Sequence, residues 1–183
     1  MELQGQVMIS NKSFTIIEIV VAVVLMGIFA WGVSVYITQV VDSWKFLTQR
    51  YELEQNGKLA IDFIVRDIRE IDIDSLGNPE ISAASDTAIT FTTADSETIT
   101  YSYSANTIYK TISGNSQPLV KNVSSFSIQY YNKNYSEINP GGGSLSQGQR
   151  RQIWYLYVRF VLSTGDQTAV CSSYIFPRNL LAQ

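Results

Sequence analysis

The clearest pattern in the chain is a long apolar stretch over residues 14–41, with one acidic residue, Glu18, near its start. No charged side chain lies between Glu18 and Asp42. A helix rises about 1.5 Å per residue and the hydrocarbon core of a bilayer is about 30 Å thick, so about 20 apolar residues can cross it. The stretch therefore predicts a membrane-spanning helix. It is longer than the apolar segment of a secretory signal, which has about 7–15 residues.

Beyond Val41 the helical pattern continues but becomes amphipathic. Apolar residues recur at three- and four-residue steps with charged residues between them: Trp44, Leu47, Tyr51, Leu59, Phe63, Ile64, Ile68 and Ile71. The turn-forming sequence Gly77-Asn78-Pro79 follows. We therefore predict one helix over residues 14 to about 73, with Leu59, Phe63, Ile64 and Ile68 against a core.

After Pro79 the pattern changes from helical to alternating, which is typical of β-strands. The predicted strands cover residues 88–93, 97–103, 107–112, 123–131, 153–163 and 169–176. Residues 132–149, with the run Pro140-Gly-Gly-Gly143, predict a long loop. The fold class is therefore α+β, with one face of a small antiparallel sheet covering the amphipathic half of the helix.

Composition excludes several kinds of chemistry. The chain of 183 residues has a net charge of −3 and no basic cluster, so we expect no direct nucleic-acid partner. It has no histidine, which removes the commonest general base and metal ligand, and Cys171 is its one cysteine. We interpret Cys171 as a small buried hydrophobe on a strand.

Five acidic residues are candidates for a paired-carboxylate hydrolytic site: Asp72, Asp74, Asp86, Asp95 and Glu97. They fall near the predicted helix end and in turns, where acids are usually solvated or capping. No nucleophile motif, phosphate-binding loop or metal-ligand cluster accompanies them. We therefore predict that the chain is not an enzyme and needs no cofactor or metal. Calcium binding by Glu137, Asn139 and nearby carbonyl groups stays open.

The segment Ser13-Phe14-Thr15-Ile16-Ile17-Glu18, followed by the apolar run, resembles the leader-peptidase site of the type IV pilin superfamily. The resemblance implies cleavage between Ser13 and Phe14, N-methylation of Phe14, and a role for Glu18 in assembly. Gly27 also matches a common glycine of the family. Two positions depart from it: Ser13 stands where glycine is usual, and Val35 where many major pilins have proline.

The physical reason for such a glutamate is charge pairing. Cleavage leaves an amine at Phe14 with a pKa of about 8. A carboxylate one turn along is favoured by the helix dipole, and it can pair with the amine of a neighbouring subunit in an apolar setting. The simpler alternative is a signal-anchor helix in which Glu18 reaches the lipid headgroups.

The resemblance implies a domain organisation and a place in the cell. Residues 1–13 would be the leader, 14–41 the membrane and filament-core helix, 42–73 its amphipathic continuation, and 74–183 the β domain. The protein would span the inner membrane once, be cut by the prepilin peptidase, and join other pilins or pseudopilins in a periplasmic or cell-surface filament.

Two later segments, 123–131 and 176–180, are similar to the secretion pseudopilin J and minor pilin W groups. They imply a minor pilin or type II secretion pseudopilin that primes assembly, and leave open which machine it serves. An alternative function is a filament-displayed adhesin or ligand-binding subunit. In that case the 132–149 loop with Tyr130, Tyr131 and Tyr135 would make the contact.

Overall fold

A computed structural model of the chain, in which residues 15–179 are described, has an α+β architecture. The chain divides into two compact units, Met1–Phe46 and Leu47–Gln183. The elements in chain order are α1 (Ile16–Arg69), β1 (Ile81–Ala84), β2 (Ala88–Thr92), β3 (Thr98–Ser104), β4 (Thr107–Ile112), β5 (Asn115–Lys121), β6 (Val123–Tyr131), β7 (Glu137–Ile138), α2 (Gln147–Arg150), β8 (Tyr155–Thr164) and β9 (Gln167–Ile175).

The long helix of the sequence prediction is confirmed, although it ends at Arg69 instead of near residue 73. Ile71 and Ile73 instead form isolated bridges with Thr93 and Pro79. The N–H of Asp72 also donates to the carbonyl of Thr92 at 2.9 Å. The chain therefore leaves the helix early, because residues 71–72 pair with the end of β2 and the segment after it, and Ile73 pairs with Pro79.

The first unit contains the apolar part of α1. No described residue in this unit is buried, and its large apolar side chains are exposed from Ile16 onward. This is the one helix among the described residues that is long and apolar enough to cross a membrane. Its exposed surface is consistent with a single-pass membrane segment.

The second unit contains two antiparallel sheets, where the sequence analysis expected one. The first sheet has the order β1-β2-β3-β4-β5 and the second the order β7-β6-β8-β9. All six predicted strands are present with ends shifted by at most two residues. Strands β1, β5 and β7 were missed because β1 and β7 are short and β5 contains Pro118 among polar residues.

The core of the second unit joins α1 to the inner faces of both sheets. The buried residues of α1 are Leu53, Gly57, Ala60, Ile61, Ile64, Asp67 and Ile68. The prediction that Leu59 and Phe63 are buried in the core is wrong, because Leu59 is 51% exposed and Phe63 is 42% exposed. The buried stripe includes the small residues Gly57 and Ala60, which add little to a pattern of large apolar side chains. The predicted buried face of the helix is therefore partly rotated from the observed one.

The predicted loop over residues 132–149 is largely ordered structure. It holds β7, a turn at residues 140–143, and α2, which begins with a capping box between Ser146 and Gln149. Leu145 is buried, and its N–H donates to the carbonyl of Ala84 at 2.8 Å. The segment therefore packs against the edge of β1.

Candidate functional site

The N-terminus of α1 is organised by a reciprocal contact between Thr15 and Glu18. The N–H and hydroxyl of Thr15 donate to Oε2 of Glu18 at 2.8 and 2.9 Å. In return, the N–H of Glu18 donates to Oγ1 of Thr15 at 3.4 Å. This is a capping box, in which each side chain binds the other residue's backbone N–H. Glu18 therefore has a role within its own chain that the sequence analysis did not assign.

The capping box still leaves part of the Glu18 carboxylate available. Both Thr15 contacts go to Oε2, and among residues 15–179 no hydrogen bond reaches Oε1. The Glu18 side chain is exposed. One carboxylate oxygen can thus cap the helix while the other accepts a hydrogen bond from a partner. Ser13 and Phe14, the predicted cleavage and methylation residues, lie outside the described residues.

The surface that follows Glu18 is predominantly apolar and carries no charge. Ile28, Phe29, Trp31 and Tyr36 are all exposed, and no charged residue occurs before Asp42. A helix that is apolar on every side is stable when lipid or other apolar helices surround it. The arrangement can therefore support packing of this helix in a membrane or between subunits.

The three tyrosines predicted for a ligand-binding loop lie in different environments. Tyr130 is buried, and its hydroxyl donates to the carbonyl of Ser85 at 2.7 Å. Burial raises the pKa of the Tyr130 hydroxyl well above its ordinary value. Tyr131 stacks on Tyr155 with ring centroids 4.8 Å apart, and Tyr135 is 71% exposed. Tyr130 is therefore a core residue and not part of a binding surface.

An aromatic cluster on the outer face of the second sheet was not predicted. It is centred on Tyr155, which contacts the rings of Tyr131, Tyr135, Tyr174 and Phe176. A further ring pair joins Tyr157 to Tyr174 at 4.5 Å. The alternation of Tyr155 and Tyr157 in β8 is visible in the sequence. Their ring partners on β6 and β9 become neighbours only through the register of the paired strands.

Two of the acidic residues named as catalytic candidates, Asp72 and Asp74, bind nearby backbone N–H groups. Oδ1 of Asp72 accepts from the N–H of Ile73 at 2.9 Å. Oδ1 of Asp74 accepts from the N–H groups of Leu76 and Asn78 at 2.9 and 2.8 Å. The contacts with Asn78 lower the pKa of Asp74 below its ordinary value. These carboxylates stabilise local backbone turns.

The open calcium hypothesis finds no ligand cluster in the described part of the chain. There, no group of three or more histidine, cysteine or acidic side chains could hold a metal ion. Oδ1 of Asn139 accepts from the N–H of Gly141 at 2.7 Å, and Glu137 is exposed on β7. Asn139 is therefore engaged in its own turn.

A buried polar group that sequence reasoning missed lies where α1 meets the first sheet. Asp67 is 3% exposed, and it accepts a hydrogen bond from the Tyr101 hydroxyl at 2.6 Å. The ammonium group of Lys110 forms an ion pair with the same carboxylate. Burial and the neighbouring carboxylate raise the pKa of Tyr101. The sequence signal for this buried group is the position of Asp67, an acidic residue, within the apolar stripe of α1.

Comparison with known proteins adds no relative to this picture. No protein-family model matches the sequence, and no curated protein matches it. These observations define an α+β protein whose described residues include one candidate membrane-spanning helix.

Proposed function

We propose that the chain is a minor pilin or pseudopilin, a structural subunit that helps to initiate assembly of a type IV pilus or type II secretion pseudopilus. The observation that carries the proposal is an exposed apolar helix whose one acidic residue lies in its first turn. The sequence before that residue resembles a prepilin cleavage site. An α+β layout with a long N-terminal helix is compatible with a pilin-like fold.

In this proposal the prepilin peptidase acts on the chain, and the chain itself has no catalytic function. The protein would reside in the inner membrane as a single-pass subunit, and cleavage between Ser13 and Phe14 would release the leader. Phe14 would then be methylated. Other major and minor pilins or pseudopilins would be its partners, through the apolar surface of residues 16–41.

The proposed role of Glu18 is to neutralise the amine of a neighbouring subunit. A carboxylate left alone in a bilayer is unfavourable by about 2.5–3.5 kcal/mol at mid-depth. Pairing with a cation compensates for this, while removal of one partner from a buried pair costs about 3–5 kcal/mol. The Oε1 atom, which does not take part in the Thr15 contacts, is available for such a pair.

The experiment compares two substitutions of Glu18 in the native host. Glu18→Ala removes both the charge and the capping contact, whereas Glu18→Gln removes the charge and retains a side chain suited to a capping box. Both variants should insert in the membrane and lose their leader, with mass spectrometry giving a mature chain that starts at Phe14. Both should fail to co-purify with partner subunits.

Two results would contradict parts of this proposal. Normal incorporation of Glu18→Gln together with failure of Glu18→Ala would assign Glu18 to helix capping alone. An intact Met1 terminus in assembled wild-type material would remove the prepilin interpretation altogether.

A second candidate function, a filament-displayed adhesin or ligand-binding subunit, is favoured by the outer aromatic cluster. Tyr135 and Tyr174 are exposed there, and aromatic rings are common contact residues in recognition surfaces. A binding screen against glycans and peptides, with wild type and Tyr135→Ala compared, tests this function. Binding that is equal for the two proteins, or absent from both, would argue against the cluster as a ligand site.

A further inference from the structure

The contact between Asp67 and Lys110 brings together two side chains whose functional groups can react with each other. Asp67 lies on α1 and Lys110 on β4, and the Lys110 ammonium touches Oδ2 of the carboxylate. The side chains of Asp67 and Lys110 are 4% and 18% exposed. The other lysines among residues 15–179 are exposed, and none of them contacts a carboxylate there. Lys110 is therefore held against an acid in the interior.

The helix and two paired strands hold this contact in place. Tyr101 on β3 and Lys110 on β4 are opposite each other in the strand register, and both side chains reach Asp67. The Tyr101 hydroxyl donates to Oδ2, the oxygen that Lys110 touches, at 2.6 Å. Tyr101 is buried, and so are Ile64 and Ile68, which flank Asp67 on α1. The carboxylate, the amine and the hydroxyl therefore meet in a place that excludes most water.

Such a contact places the reacting atoms at the distance that a condensation requires. A nitrogen that touches one oxygen of a carboxylate lies about 3–3.5 Å from the carboxyl carbon, which is the separation of a near-attack conformer. Groups held in this way can react as if present at an effective concentration of about 10⁵–10⁸ M. An exposed ion pair lacks this advantage, because its long side chains move and water solvates both charges.

We propose that Asp67 and Lys110 condense after folding to form an intramolecular amide bond between Nζ and the carboxyl carbon. The ammonium first gives one proton to the carboxylate, which leaves a neutral amine and a neutral acid. The Nζ lone pair then forms a bond to Cγ, and the bond from Cγ to Oδ1 breaks. Oδ1 leaves as water with two protons of the former ammonium, and the third proton stays on the amide nitrogen. The step needs no oxidant, reductant or co-reactant.

The surroundings favour each part of this step. Two charges in the interior carry a desolvation cost that a hydrogen-bonded neutral amide does not. The Tyr101 hydroxyl can stabilise the negative charge that develops on Oδ2, and burial raises its pKa, so it stays a donor. Nε of Arg66 lies 3.5 Å from Oδ1, and the Arg66 side chain is 61% exposed. Oδ1 therefore lies on the side from which water can leave.

The bond would join α1 to β4 by a covalent link, which outlasts the fold itself. Chains that have just folded hold the ion pair, and the amide accumulates afterwards. Once formed, it keeps residue 67 attached to residue 110 even when the chain is unfolded. The inference concerns the second unit alone and does not depend on the proposed function as an assembly subunit.

A peptide map of the full-length protein, purified in detergent and then denatured, tests the bond directly. Trypsin cuts after arginine and lysine, so an unlinked chain gives the separate peptides 67–69, 70–110 and 111–121. Trypsin does not cut after a lysine whose amine is part of an amide. The linked chain should therefore give peptide 67–69 attached to an uncut peptide 70–121, with a mass one water molecule below the sum of those two peptides. Fragmentation of this product should place the link between Asp67 and Lys110.

Three variants assign the parts of the reaction. Lys110→Arg keeps a cation beside Asp67 but should give only the separate peptides, because a guanidinium group does not lose its proton in proteins. Lys121→Arg, at an exposed position on β5, is the matched control and should form the linked product as wild type does. Tyr101→Phe keeps the ring and removes the donor, so it should slow the appearance of the linked peptide by about 100-fold.

Wild-type protein that yields only the separate peptides, both when fresh and after long incubation, would overturn the inference, and this result requires no variant to fold. A linked product that joins Asp67 to another lysine, or that persists in Lys110→Arg, would overturn the assignment of the bond to Lys110. Equal rates for Tyr101→Phe and wild type would remove Tyr101 from the step. The proposed function is tested separately, through Glu18, so none of these results contradicts it.

Discussion

At the scale of single residues, the most consequential group in the second unit is the carboxylate of Asp67. It is buried, yet two donors on neighbouring strands satisfy it: the Tyr101 hydroxyl on β3 and the Lys110 ammonium on β4. Arg66 adds a longer contact at 3.5 Å from the solvent side. A buried charge with good partners is tolerated, whereas one that has lost a partner is strongly destabilising. Asp67, Tyr101 and Lys110 therefore fix the C-terminal end of α1 to the first sheet.

Lys110→Met is expected to reduce the free energy of unfolding by about 3 kcal/mol, because it leaves the Asp67 charge buried with the tyrosine hydroxyl as its main donor. Adding Asp67→Asn should recover much of this loss, since the amide oxygen still accepts from Tyr101 without a net charge. Urea unfolding of the two variants measures both effects. Lys121→Met, at an exposed position, is the matched control. Equal stability of Lys110→Met and wild type would mean that the ion pair contributes nothing to folding.

At the scale of secondary structure elements, the close approach of α1 to the second sheet depends on Gly57. A Cβ atom at this position would overlap with Sγ of Cys171 and would lie 3.1 Å from a methyl group of Leu162. Cys171 is half-buried on β9 and packs against the core, and this burial raises the pKa of its thiol. The interpretation of Cys171 as a small hydrophobe on a strand therefore holds in part. Its size matters because it faces a glycine.

The effect of Gly57→Ala on the free energy of unfolding is expected to depend on the residue at position 171. Alanine is favoured over glycine in a helix by about 1 kcal/mol, but here the added methyl group overlaps with the Cys171 sulfur. In the wild-type background we expect a net loss of about 1 kcal/mol in the free energy of unfolding. In a Cys171→Ala background the loss should disappear. A double-mutant cycle by urea unfolding measures the coupling, and additive effects would show that the helix and β9 are less closely packed at this point.

The same elements indicate how far the sequence could predict the fold. The helix and the six alternating strands carry a strong local period, so they were found. The core face of α1 was partly misassigned because Gly57 and Ala60 add little apolar signal, although they permit the closest packing. The division into two sheets depends on strand pairing between distant residues, and no local period encodes it.

The candidate sites follow the same rule. The sequence singled out Glu18 through its resemblance to a prepilin site, but not its capping contact with Thr15, although that contact is local in the sequence. The aromatic cluster joins residues of β6, β8 and β9 and the segments beside them, and the Asp67 group joins α1 to β3 and β4. Those sites exist only after the strands have paired, so sequence reasoning found some of their residues but not their association.

At the scale of the whole molecule, the two units have opposite solubility requirements. The second unit has its own buried core, drawn from α1, both sheets and Leu145. The described part of the first unit has no buried residue and exposes a continuous apolar helix. Exposed apolar surface of that extent is unfavourable in water, by about 25 cal/mol per Å². The second unit should therefore keep its structure without the first, while the first requires a membrane or partner helices.

Deletion of residues 1–46 tests this division directly. The remaining chain, 47–183, should be soluble without detergent, unfold cooperatively in urea and retain both helical and β circular dichroism, because every buried residue of the core lies within it. The full-length chain, as the control, should need detergent to remain dispersed. The first turns of the shortened helix should fray, since residues 47–52 are exposed and make no core contact. A shortened chain that is soluble but unfolds without cooperativity would mean that the apolar half of α1 is needed to hold the second unit together, and the two units would then be one folding domain.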